Sequence, residues 1–155
     1  VNIFLTSIPH TGSHFLQHLL SLDKFIHVFD ANIEEHLKKA DLIVAPLRKP
    51  EDVWKSWVRR FNTTPNEHIK RGAAFLNCWE RMNHFSMTYT IHFLPVDVER
   101  REEWLAKMGQ LVGKELKTDW PKVNGSSAPI PDEIPYIDFS EIYGYDYVRR
   151  FYRRS

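Results

Sequence analysis

Asn2-Ile3-Phe4-Leu5-Thr6, followed by Ser7-Ile8-Pro9-His10-Thr11-Gly12 and then Ser13-His14-Phe15, is the stretch that decides the fold. Its first five residues are short and mostly apolar, as a buried strand requires. Proline and glycine punctuate the next six, which read as a loop. Phe15, Leu16, Leu19 and Leu20 then recur at helical spacing, and Ser13 is placed to cap a helix over Ser13–Leu22. A strand that passes through a glycine loop into a helix is the opening unit of an α/β domain.

Working outward, the same alternation continues. Phe25–Phe29 reads as a second short strand and Ala31–Ala40 as a polar surface helix. Asp41–Leu47 (DLIVAPL) reads as a third strand, and its continuous apolar run predicts burial on both faces. Pro50 suits the first turn of a helix, and Glu51 and Asp52 suit its positive end. That helix extends to Phe61, with Val53, Trp54, Trp57 and Val58 in its apolar stripe. Asn66 to about Phe85 is the longest helix, Thr88–Leu94 a fourth strand and Val98–Val112 a further helix. Gly113–Pro135 reads as irregular, and Ser140–Tyr152 as a last helix despite Gly144. Strands alternating with helices predict an α/β fold: a central parallel sheet of about four to five strands, with right-handed crossovers and flanking helices. In such sheets ligands sit at the carboxyl ends of the strands. The loops after strands one and three are therefore the places to inspect.

The chain has 155 residues and reads as one domain spanning 1–155. No apolar run approaches the roughly 20 residues of a membrane span. Ser7, Pro9 and His10 interrupt the apolar start, so no signal-peptide pattern is read and the expectation is a cytoplasmic protein, although a luminal domain taken from a longer chain would read the same. The single cysteine, Cys78, excludes an internal disulfide framework and a cysteine-built zinc site. Net charge is only +1, which argues against a nucleic-acid partner. The charge is uneven, however: residues 48–81 carry 8 basic and 4 acidic groups. That zone invites a local anionic ligand.

The loop Ser7–Gly12 can cradle such an anion, since a glycine before a helix lets backbone amides converge. It is not a Walker A loop, which needs an earlier glycine and a lysine. An ordinary strand-to-helix turn is the plain alternative. After strand three, Arg48-Lys49-Pro50-Glu51-Asp52-Val53-Trp54-Lys55-Ser56 offers an arginine fork at the strand end and a hydroxyl two turns along the helix. Together these suit a phosphate monoester.

With both loops in view, the chain resembles the sulfotransferases that use 3′-phosphoadenosine 5′-phosphosulfate (PAPS). Their first loop reads roughly P-[KR]-[ST]-G-[ST]-[TNS]-[WFL], which Pro9–Phe15 fits except at His10 and His14. Their second motif reads roughly R-[ND]-P-x-D-x-x-x-S, which Arg48–Ser56 fits except at Lys49. Ile91–Val98, Glu102–Gly113 and Val123–Ser127 carry weaker echoes. The resemblance implies a three-layer, P-loop NTPase-like fold and sulfuryl transfer from PAPS to a hydroxyl or amine, leaving 3′,5′-ADP, with no metal required. It implies that Pro9, His10, Thr11, Gly12, Ser13, His14 and Phe15 hold the 5′-phosphosulfate, and that Arg48 and Ser56 hold the 3′-phosphate. His10 stands where the family has a catalytic lysine, and as imidazolium it can neutralise the leaving oxygens.

The family often places its general base after strand two, where Asp30 and His27 are the leading candidates, followed by Glu34. Each has a plainer role, Asp30 as a helix cap in particular. His14 and His18 have the spacing of a metal pair, but no third ligand accompanies them. The tryptophans read as core rather than as an acceptor groove. Arg149, Arg150, Arg153 and Arg154 read as a solvated helix end. Relatives are longer, so the expected acceptor side is open and the acceptor large or extended: a saccharide, protein or lipid. Two other readings are a PAP- or PAPS-binding module without turnover and a P-loop nucleotide kinase-like protein.

Overall fold

The computed structural model describes residues 2–61, 65–97, 101–113, 116 and 133–153. Its elements are β1 (Ile3–Ser7), α1 (Ser13–Leu19), β2 (Ile26–His27), α2 (Ile33–Lys39), β3 (Leu42–Leu47), α3 (Pro50–Phe61), α4 (Pro65–Thr88), β4 (Ile91–Pro95), α5 (Arg101–Val112), α6 (Ser140–Gly144) and α7 (Asp146–Arg149). The four strands form one parallel sheet in the order β2-β1-β3-β4. The fold is therefore α/β, with a four-stranded parallel sheet flanked by helices.

Period-two alternation divides the strands between two cores. Phe4, Ile43, Ala45 and Leu47 face a larger cluster with residues of α2, α3, α4, α6 and α7. Leu5, Val44 and Leu94 face a smaller one with Phe15, Leu16 and Leu19 of α1 and Trp104, Met108 and Val112 of α5. Because both faces are covered, β3 reads as an unbroken apolar run.

Several boundaries differ from the expected ones. Helix α1 stops at Leu19, because Ser21 takes a left-handed φ of 53° and turns the chain. Strand β2 has only two residues, since the Asp30 amide bonds back to the His27 carbonyl and ends the extension. The amide of Asn32 donates to Asp30 Oδ1, so the turn delays α2 to Ile33. Helix α4 runs on through Thr88, and β4 accordingly starts at Ile91. The last helix is two short ones, broken at Tyr145, whose ψ of 135° is extended. The expected helical residues 98–100 and the irregular 117–132, including Trp120 and Val123–Ser127, lie outside the described residues.

Trp54, Trp57, Trp79 and Trp104 are buried, as expected of core. The larger core centres on Phe75, whose ring lies 5.1 Å from Trp54, 5.4 Å from Trp57 and 5.9 Å from Trp79. Such tilted and edge-on pairs exploit the positive ring edge against the negative face. Among the described residues no helix is long and apolar enough to cross a membrane. Phe75→Ala is expected to lower unfolding free energy by about 3–5 kcal/mol, read as a lower denaturation midpoint at unchanged m-value.

Candidate anion site at the carboxyl edge of the sheet

From β1 the chain leaves toward β2, and from β3 it leaves toward β4, so the strand order reverses between these two central neighbours. Loops that depart in opposite directions leave a crevice above the strand ends. The β1–α1 loop and the β3–α3 turn face each other across it. Ser56 Oγ lies 2.9 Å from His10 Nδ1, and Arg48 Nη1 donates to the His10 carbonyl at 3.5 Å. Trp57 Nε1 donates to the Pro9 carbonyl at 2.8 Å, so α3 clamps the loop from a buried ring.

Local chemistry explains the loop's path. His10 has φ 69° and Gly12 φ 104°, two left-handed residues bracketing Thr11. Thr11 is fully buried; its hydroxyl donates to the Ile8 carbonyl at 2.6 Å and closes the turn. Gly12 precedes α1, and a Cβ there would meet Val96 Cγ2 at 3.1 Å. Ser13 does not cap α1. Its hydroxyl donates instead to Ser7 Oγ at 2.6 Å, and Ser7 Oγ lies 3.2 Å from His27 Nδ1. Two hydroxyls expected to face an anion, those of Thr11 and Ser13, are thus engaged inside the protein. Phe15 is core, and Pro9 serves the site through its carbonyl. His14 is exposed, its ring edge-on to Phe25 at 5.0 Å.

The β3–α3 turn is braced from β4 and the C-terminal segment. The Lys49 amide donates to Asp97 Oδ2 at 3.1 Å, and the Tyr152 hydroxyl donates to Asp97 Oδ1 and, at 3.4 Å, to the Leu47 carbonyl. Burial and the Asp97 carboxylate together push the Tyr152 phenol up. Arg149, Arg150 and Arg153 are exposed, as expected of a solvated helix end, with Arg149 paired to Asp146 and Arg154 outside the described residues, while Tyr152 between them ties the segment to the β3–α3 turn.

Charge at the crevice is dominated by arginine. Burial pushes His10 down to about 4, aided by Arg60, His27 and Arg48. Near neutral pH this leaves the imidazole uncharged in the ligand-free protein, so the imidazolium form expected to neutralise the leaving oxygens requires a bound anion to raise its pKa. Arg60 is a residue the motif reading misses. It follows Ser56 by four positions, so one helical face carries both, and that spacing was its signal. Asp30 does not cap α2, whose N-cap is Asn32; its carboxylate accepts the Asn32 amide in the turn before the helix, and Glu34 is exposed on α2. Among the described residues no group of three or more metal-ligating side chains gathers. A cleft of about 480 Å³ lined by Lys38, Asp41, Tyr89 and His92 opens at the opposite, amino end of the strands, away from this chemistry. Comparison of the chain with protein-family models, curated proteins and solved structures finds no match.

Two outcomes follow. Gly12→Ala combines a left-handed φ with the Val96 contact, and is expected to cost about 1–3 kcal/mol in denaturant unfolding. Val96→Ala in the same chain should recover only part of that loss, because the backbone strain stays. In a ring-proton NMR titration, His10 should show a midpoint near 4 in chloride and a higher one in sulfate. Because folding depresses this pKa, ligand-free stability should fall as pH drops from the ordinary histidine value of 6.5 toward 4. Sulfate should oppose that fall.

Proposed function

We propose that the chain is a PAPS-dependent sulfotransferase domain with a P-loop NTPase-like arrangement. The observation that carries this reading is the meeting of Arg48 and Ser56 with His10 across the β1/β3 crevice. Arg48 and Ser56 supply the fork and hydroxyl that a 3′-phosphate needs, and Arg60 adds a second fixed cation. This set favours PAPS over ATP, which lacks a 3′-phosphate.

PAPS supplies a sulfuryl group whose transfer spreads charge over peripheral oxygens, much as in phosphoryl transfer. The protein's part is positioning and electrostatics. The loop Pro9–Phe15 holds the 5′ end through its backbone. His10, uncharged in the free protein, gains a proton as polyanion charge accumulates beside it, because a nearby opposite charge favours the charged form. Protonated, it stabilises the leaving oxygens where the family uses lysine. His27 and Asp30 remain the candidate bases, one Asp30 oxygen being engaged by the Asn32 amide. The acceptor is a saccharide, protein or lipid hydroxyl or amine. A binding module without turnover is the second reading, favoured by the low pKa of His10.

Calorimetry with 3′,5′-ADP, 5′-ADP and ATP–Mg tests the nucleotide. The expected result is a preference for 3′,5′-ADP of at least tenfold, lost in Arg48→Ala, as a charge-assisted hydrogen bond of about 1.5–3 kcal/mol predicts. Preference for ATP–Mg overturns the reading. Radiolabelled sulfate transfer then separates enzyme from binder. In an enzyme, kcat falls as pH rises through the His10 pKa of the complex, and His10→Lys flattens that profile.

A further inference from the structure

Ser13, Ser7 and His27 form a continuous chain of hydrogen-bonding atoms from the anion loop to the edge strand. Ser13 Oγ and Ser7 Oγ are 2.6 Å apart, and Ser7 Oγ and His27 Nδ1 are 3.2 Å apart. Ser7 is fully buried and Ser13 nearly so, which keeps bulk water from replacing the link between them. The pairing is built into the sheet, where Ser7 and His27 are register partners. Nothing in sulfuryl transfer as described above requires such a chain.

We propose that His27 is a positioning residue that sets the direction of this chain, and thereby decides whether Ser13 offers its O–H to the bound anion. With neutral His27, Nδ1 accepts from Ser7, Ser7 accepts from Ser13, and the single Ser13 proton points inward. With protonated His27, Nδ1–H donates to Ser7 Oγ. Ser7 must then turn its proton toward Ser13 Oγ, and Ser13 turns its own outward. One proton at the edge strand thus adds a donor in the loop, without any backbone movement. The proposal rests on the loop Pro9–Phe15 being an anion site.

Neighbouring groups fix the sign. The His27 ring stacks on Phe29 at 5.3 Å and meets Phe25 edge-on at 5.1 Å. His14 of α1 and His10 of the β1–α1 loop are the titratable groups facing it, and Arg81 of α4 donates to the adjacent Val28 carbonyl. Asp30, next along its own segment, is engaged by the Asn32 amide. Burial first, and His14 after it, lower the His27 pKa, while a hydrogen bond with the Ser7 backbone raises it. His27 is therefore neutral at pH 7.5, and anion affinity rises as pH falls below 6.5.

The probe is inorganic sulfate, which does not titrate in this range, measured by NMR between pH 7.5 and 5 at constant ionic strength. The 15N shifts of the His27 ring report its protonation in the same samples. Wild type should bind sulfate roughly tenfold tighter at the acid end, the size of one added hydrogen bond to a charged group, with a midpoint that follows His27. Ser7→Ala cuts the chain but leaves the His27 charge in place. It should retain less than half of the pH step, in log units, and bind more tightly than wild type at pH 7.5. His27→Gln should remove the part of the step that follows the His27 midpoint, leaving only the rise that His10 protonation brings, and His14→Gln should keep it. Retention of half or more of the step in Ser7→Ala overturns the proposal, as does a midpoint that ignores His27. If sulfate binds in an Arg48-dependent way but the step is absent, only this inference falls. If neither sulfate nor 3′,5′-ADP binds at any pH, the anion-site reading falls with it.

Discussion

The parallel pairing of β1 with β3 is the constraint on which the other features depend. Ile3, Phe4 and Leu5 align with Leu42, Ile43 and Val44, and both strands are apolar on both faces. Parallel neighbours cannot be joined by a tight turn, so helical crossovers must intervene. The chain leaves the two strands in opposite directions, and the loops above them have no backbone ladder to share. Side chains make the connection instead: Ser56 to His10, Arg48 to the His10 carbonyl, Trp57 to the Pro9 carbonyl. The crevice follows from the topology, and its chemistry from three residues, one just before α3 and two in its middle.

Those links also bring stability and chemistry together. Trp57 contacts the Phe75 ring on one side and holds the β1–α1 loop on the other. Tyr152 and Asp97 secure the turn that presents Arg48. A neutral histidine among arginines suits a site whose ligand carries the negative charge. On the function proposed above, a polyanion would lower the repulsion between the two arginines and return a proton to the imidazole.

Much of the fold was legible because periodicity survives on long or fully buried elements. The runs Ile3–Leu5 and Leu42–Leu47 and the stripe on α3 mark β1, β3 and α3 nearly to the residue. Short elements were less legible. The two-residue β2 and the break at Tyr145 are set by single turns, Asp30 to His27 and an extended Tyr145, which leave no periodic trace. At the site, the spacing Arg48 to Ser56 was readable because helix geometry fixes where both groups go. Ser7 was not, since nothing in the sequence distinguishes a strand-end serine that pairs with His27 from one that faces water. The neutral state of His10 was also hidden, because it arises from burial and from Arg60, which only the folded chain brings together.

His10 itself carries a consequence for stability. A histidine at φ 69° is strained by about 1–2 kcal/mol relative to glycine at the same backbone position. Folding alone would favour glycine or asparagine there. The imidazole is thus held in a backbone conformation that costs stability, and what it gains in return is its contact with Ser56 among the charges of Arg48 and Arg60.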